Sequence, residues 1–252
     1  MSYHCFDRLF GACLTIGLLS CSVLVTDATA QLNPTDPATL RVTLLKLKPG
    51  QGAAWRDMNR EVLHKYWEDA GWAAVSVYRT RFSESNLAIV TDIGNYDNPG
   101  QMSDSDLRRF RATNASAVEW SRTRVQHKHT DLSFGAPTDR PAAHISVSQS
   151  KLAPGQRAAF IKNLKENAIP RWKEMGIPAL TTWEILYGED SGDFLIVVPI
   201  ENYGELSQGT PFYRGMSDED RAQIFAGWDG VIESITRSVG DYLENQSYVA
   251  AQ

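Results

Sequence analysis

The sequence predicts an α+β protein built from two tandem β-α-β-β-α-β units, whose antiparallel sheets pack against each other to form one barrel. Three observations predict it. The chain repeats itself in order over most of its length. Each repeat passes through the same succession of strand and helix patterns. A unit of this kind carries helices on one sheet face only, so its bare face needs a cover, and a second copy can supply it.

The repeat is clearest in Pro49-Gly50-Gln51-Gly52-Ala53-Ala54-Trp55 against Pro154-Gly155-Gln156-Arg157-Ala158-Ala159-Phe160, where five of seven positions are identical. At the same offset Trp67 meets Trp172, Gly71 meets Gly176 and Tyr78 meets Trp183. A short insertion near Gly192 brings Asn95-Tyr96 onto Asn202-Tyr203. A longer one, Gly209 to Gly215, brings Met102-Ser103-Asp104 onto Met216-Ser217-Asp218. The copies read as residues 38–135 and 141–249, joined by the Pro- and Gly-rich stretch Gly135 to Pro141.

Each element has its own signal. Leu40–Leu47 and His144–Leu152 alternate as strands do. Pro-Gly then turns the chain into a helix. Its apolar stripe is Trp55, Leu63, Trp67 and Ala70 in the first copy, and Phe160, Leu164, Ala168, Trp172 and Met175 in the second. Gly71 and Gly176 stand where a helix ends in the left-handed conformation. Two strands joined by polar turns follow, Ala74–Phe82 with Leu87–Ile93, and Leu180–Tyr187 with Phe194–Ile200. A second helix opens at Ser103 or Ser217, each with an Asp three residues on, in the manner of a capping box. The stripe Ile224, Trp228, Val231, Ile235, Val239 extends that helix to 239, and its counterpart to 125. A last strand is expected near Gln126–Phe134 and Asp241–Val249. The unit is the split βαβ, or ferredoxin-like, motif.

These tandem units, with Lys48-Pro49-Gly50-Gln51 and Ala153-Pro154-Gly155-Gln156 between strand and helix, resemble the dimeric α/β-barrel superfamily. Within it the likeness is to NIPSNAP-like and antibiotic-biosynthesis-monooxygenase-like members, and it covers nearly all of the chain behind residue 30. Single-unit members pair as dimers, so the resemblance implies internal pairing here and allows a monomer. The superfamily includes cofactor-free monooxygenases, haem-degrading enzymes, chlorite-dismutase-type haem enzymes and stress-response proteins. The fold alone does not choose among them, and no catalytic motif of the superfamily is evident.

Three chemistries have candidate residues. His127, His129 and Asp131 would share one face of a strand and could ligate zinc, copper or iron, or form a polar edge. Haem-binding members of the superfamily use a helix histidine, but neither 103–125 nor 217–239 contains one. His64 reads as a surface residue. His144 leads a polar strand face, Ser146, Ser148 and Ser150, that could line a wet barrel interior. Tyr78, Phe82, Trp183 and Tyr187, joined by Trp67 and Trp172, could wall an apolar ligand pocket or simply pack the core. Arg79 aligns with Glu184, which suggests an ion pair between copies.

The remaining features bound location and partners. Arg8 precedes an apolar run from Leu9 to Val25, and Ala28-Thr29-Ala30 is an A-x-A site, so residues 1–30 read as a secretory signal peptide. A retained membrane anchor and lipidation at Cys21, within Leu18-Leu19-Ser20-Cys21, are the alternatives. The expected location is periplasmic or secreted, or anchored through Cys21. All three cysteines, Cys5, Cys13 and Cys21, fall in this leader. The rest of the chain therefore has no disulfide and no thiol chemistry. A net charge of -5 without a basic stripe argues against nucleic acid and, once the leader is cleaved, against a membrane. No G-x-S-x-G, phosphate loop or H-E-x-x-H occurs. The sequence thus predicts an exported protein that binds a small apolar or aromatic ligand in the barrel. The alternative is a cofactor-free monooxygenase or haem-type oxidoreductase on the same scaffold. The cofactor is left open.

Overall fold

The computed structural model describes residues 39–93, 101–135 and 141–250. The leader with Cys21, the Asn95-Tyr96 match and the joining residues 136–140 lie outside the described residues.

The first half runs β1 (Thr39–Leu47), helix α1 (residues 52–69), β2 (Ala74–Arg81), β3 (Leu87–Asp92), helix α2 (Asp104–Ala117) and β4 (Val118–Lys128). The second runs β5 (His144–Leu152), α3 (residues 157–174), β6 (Thr181–Tyr187), β7 (Phe194–Ile200), α4 (Asp218–Ala226) and β8 (Ile232–Tyr242), with the short β9 (Tyr248–Val249). The strands are antiparallel in the order β3-β1-β4-β6-β7-β5-β8-β2, and pairing of β2 with β3 closes the ring. The result is an eight-stranded barrel with four helices outside it.

The halves share register as well as order. Val42 pairs with Arg124 and Val90, as Val147 pairs with Ser238 and Val197. The same bulge follows in both, at Lys46/Leu47 and at Lys151/Leu152. Both long helices contain a five-residue π turn, Asn59–Leu63 and Leu164–Ala168. Both end at a glycine with positive φ, Gly71 at 71° and Gly176 at 78°. Ser103 and Ser217 cap the second helices by accepting from the Asp106 and Asp220 amides.

Side-chain alternation sorts each strand into two cores. Outward residues meet the helices. Trp55, Met58, Val62 and Trp67 pack on Leu45, Val75, Val77 and Leu87 in the first half. Phe160, Leu164, Trp172, Ile224 and Trp228 pack on Phe194, Ile196 and Val198 in the second. Trp67 and Trp172 are thus core residues of the helix layer. Inward residues face the barrel interior.

The second helices are shorter than the stripe predicts. Val125, Ile235 and Val239 lie on β4 and β8, not on helices. In the second half Gly227 and Gly230 (φ 67°) interrupt the helix, and in the first the chain passes straight from Ala117 into strand. The last strands accordingly start at 118 and 232 and end at 128 and 242. Ser146, Ser148 and Ser150 also face the other way from the expectation. Ser148 and Ser150 stand against Trp172 and Trp228 under the helices, whereas Ile145, Val147 and Gln149 face the interior.

Two seams close the barrel, β4 on β6 and β8 on β2, and a buried carboxylate locks each. At the first, Glu184 accepts from Arg157 Nε at 2.6 Å and Nη2 at 2.7 Å, and pairs with His129 Nε2 at 2.7 Å. At the second, Asp241 accepts from Arg79 at 3.0 and 2.8 Å, from Arg81 at 2.9 Å and from the Tyr203 hydroxyl, and pairs with His144 at 3.0 Å. The aligned pair Arg79 and Glu184 does not form. Each sits on a different seam and finds its partner there. Burial pushes Glu184 up, but Arg157 and His129 outweigh it and hold the carboxyl at about 2. Asp241 lies below the usual range by the same balance: burial raises it, and Tyr203, Arg81, Arg79 and His144 lower it further.

A depressed carboxyl stabilises the fold above its unfolded value and loses that contribution as pH falls through the folded one. For Glu184 this window runs from 4.5 down to about 2. Denaturant midpoints measured across that range should fall with acid, and Glu184→Gln should flatten part of the slope. At neutral pH the same variant should cost about 1–2 kcal/mol, kept low because the half-exposed Arg157 returns to water.

Candidate functional site

The barrel interior holds a cavity of about 310 Å³. Its wall is apolar: Leu40, Val42 and Leu44 from β1, Ile145 and Val147 from β5, Ala88 and Val90 from β3, Leu195 and Val197 from β7. Tyr78 on β2 and Trp183 on β6, at matching places in the two halves, add aromatic surface. Burial pushes the Tyr78 hydroxyl up to about 12, so it stays protonated. Gly240 makes room for it, since a Cβ there would lie 3.3 Å from Tyr78 Cδ1 and 2.9 Å from Ile145 Cγ1.

One strongly polar cluster interrupts the wall. Arg124 on β4 donates from Nη1 to Gln149 Oε1 at 3.0 Å. Gln149 Nε2 donates to the buried Asp193 Oδ2 at 2.8 Å, which fixes the Gln149 amide with its oxygen toward the arginine. In the amide orientation that satisfies both groups, Gln126 accepts from Arg124 Nε at 2.6 Å and Nη2 at 3.3 Å. Burial lowers the guanidinium to about 10, while Asp190 and Asp193 act against that from beyond contact, so Arg124 remains cationic at neutral pH. Burial pushes the Asp193 carboxyl up. The chain crosses beside this cluster at Gly188, where a Cβ would stand 2.4 Å from the Thr123 carbonyl and 3.0 Å from Arg124 Cα.

Of the aromatic candidates the structure brings Tyr78 and Trp183 together and leaves out the other two. β2 ends at Arg81, and Phe82 takes φ 56°, which turns its ring out to 76% exposure. Tyr187 follows a register shift between Val125 and Gln126 and is 44% exposed, outside the cavity lining. The predicted metal face does not form. β4 ends at Lys128, so Asp131 falls in a 3-10 turn (Thr130–Leu132) beside Lys165. His127 Nδ1 is 3.3 Å from Thr39 Oγ1, and His129 belongs to Glu184. Among the described residues no three His, Cys, Asp or Glu converge on a metal position. No described histidine is placed for haem in this interior. α2 and α4 contain no histidine, and His64, His127, His129 and His144 all lie outside the cavity lining. His64 is held at 2.9 Å by the Gln246 carbonyl.

Sequence reasoning missed Arg124, Gln126 and Gln149. Arg124 and Gln126 fall within or beside the stretch read as helix, so their shared strand face was not visible. Gln149 lies on the strand face opposite the serines that drew attention.

No model of a known protein family matches the sequence, and no curated protein matches it. Solved structures do. An anthrone oxidase-like protein matches with TM-score 0.56 at 10% identity, over 87% of this chain and 96% of that one. A candidate monooxygenase from Fusobacterium nucleatum subsp. nucleatum matches with TM-score 0.54 at 8% identity, over 84% and 94%. At such identities the likeness shows the fold alone. The chain has the dimeric α/β-barrel fold, here closed within one chain.

The crossing at Gly188 is testable. Gly188→Ala combines a left-handed φ of 100° with a backbone clash, whereas Gly192→Ala (φ 95°) meets open space. Gly192→Ala should cost about 1 kcal/mol for the conformation alone, and Gly188→Ala clearly more, measured by urea unfolding.

Proposed function

We propose that the barrel binds one small, largely apolar or aromatic molecule in its interior. The observation that carries this reading is the apolar cavity of about 310 Å³ between Tyr78 and Trp183, with a few convergent polar groups, the composition of small-molecule sites. A barrel built only for stability would fill this space with side chains.

The second reading is oxygenation of the bound molecule without a cofactor. The fold likeness to an anthrone oxidase-like protein and a candidate monooxygenase supports it. So does the Arg124 cluster, which could stabilise negative charge on a substrate oxygen. Oxygen uptake on addition of anthrone, lost in Arg124→Met, would favour oxygenation; its absence leaves binding as the function.

The halves read as diverged copies of one ferredoxin-like unit, supported by their common register, bulge and π turn. The NIPSNAP-like assignment rests on the Pro-Gly-Gln turns at 49–51 and 154–156. Export rests on the leader, and an exported protein beginning at Gln31 by mass spectrometry would establish it.

Binding is tested by calorimetric titration with 2-naphthol and 2-naphthamide, before and after filling the cavity with Val147→Phe. One site per chain is expected for the parent. In the variant the affinity should fall tenfold or more, with far-UV circular dichroism unchanged. Equal binding in both proteins would place the ligand elsewhere, and no binding of any flat aromatic probe would end the proposal.

A further inference from the structure

The interior carries a charge that the barrel itself does not need. Where the first half has Arg124 and Gln126, the second has Ser238 and Gly240 at the same register positions. Where the second half has Gln149, the first has Leu44. The apolar wall, by contrast, keeps its character across the halves: Leu40 with Ile145, Val42 with Val147, Val90 with Val197, Tyr78 with Trp183. Closure of the barrel therefore explains the wall but not the cluster. One half closes with a serine and a glycine where the other holds an arginine.

Desolvating a guanidinium is costly unless an opposite charge meets it. Arg124 forms no ion pair among the described residues, and its contacts are two neutral amides. Asp193 is reached only through Gln149, and burial raises its carboxyl. A guanidinium has five N–H groups. The contacts to Gln126 and Gln149 engage Nε, Nη1 and Nη2 once each, which leaves one N–H on each terminal nitrogen. That pair matches the two oxygens of a planar carboxylate. The two-pronged contact to Gln126 along the Nε–Nη2 edge fixes the guanidinium plane.

We infer that the ligand of this cavity is an aromatic or apolar carboxylic acid, bound as the carboxylate end-on to Arg124, with its ring between Tyr78 and Trp183. This rests on the reading of the interior as a ligand site and adds the chemical class. Arg124 sets specificity for the charge, while Gln126 and Gln149 position it.

The test compares 2-naphthoate with its neutral isostere 2-naphthamide by isothermal titration at pH 7, in the parent protein and in Arg124→Met. The parent should bind the acid about ten- to a hundredfold more tightly than the amide, the range of one charged hydrogen-bonded pair. Arg124→Met should bring the two to within about twofold, because the acid loses far more affinity than the amide. The parent's acid-to-amide ratio needs no variant, so the inference stays open to refutation even if Arg124→Met does not fold. Equal affinities in the parent, or a preference that survives in Arg124→Met, would overturn the carboxylate assignment and leave the ligand site standing. Failure of both probes to bind would overturn the carboxylate assignment, and failure of 2-naphthol as well would overturn the ligand site.

Discussion

Closure of a single antiparallel barrel is the constraint on which the rest of the structure depends. Each half alone presents a four-stranded sheet with helices on one face, and its other face and both edges would be open. Pairing β4 with β6 and β8 with β2 removes the edges and turns the bare faces inward. The seams are short, from Val125 to Lys128 on one side and from Tyr78 to Arg81 on the other, so backbone pairing there is sparse. Glu184 and Asp241 compensate. Each is a buried acid hydrogen-bonded to arginine and histidine, and Arg79 and Arg81 from β2 and His144 from β5 meet at the one carboxylate on β8. A carboxylate so surrounded is tolerated in the interior because its charge is met in several directions.

Closure also decides what the interior is. With the large tryptophans and phenylalanines spent on the helix layer, the inward positions carry mostly Leu, Val and Ile, which do not fill the barrel. The space that remains is bounded by two aromatic side chains and one cation. Among the described residues the histidines lie outside the cavity lining, each engaged with a protein partner, and this separates the polar chemistry of the seams from that of the cavity.

Much of the architecture was legible in the chain itself. The alternation of Leu40–Leu47 and His144–Leu152, the Pro-Gly turns, the helix stripes from Trp55 and Phe160, and the serine caps are local signals, and the elements they predict are present. The errors arose where two periodicities agree with the same residues. Ile224, Trp228, Val231, Ile235 and Val239 suit a helix by spacing, yet Gly227 and Gly230 break it, and the last two belong to a strand. That misplacement hid Arg124 and Gln126. It also misplaced His127, His129 and Asp131, whose common face required a strand running on past Lys128.

By itself the sequence determined the order of elements, the repeat of that order and the residues of the helix-layer core, because capping, turn chemistry and periodicity act over a few neighbouring residues. Only the tertiary structure decided which strand faces look inward, which acid pairs with which arginine, and that Arg124, Gln126, Gln149 and Asp193 meet. Those relations depend on the register between strands distant in the chain, as where Arg79 pairs with Asp241, 162 positions away. A one-residue slip in such a register exchanges the two faces of a strand, and no local pattern specifies it.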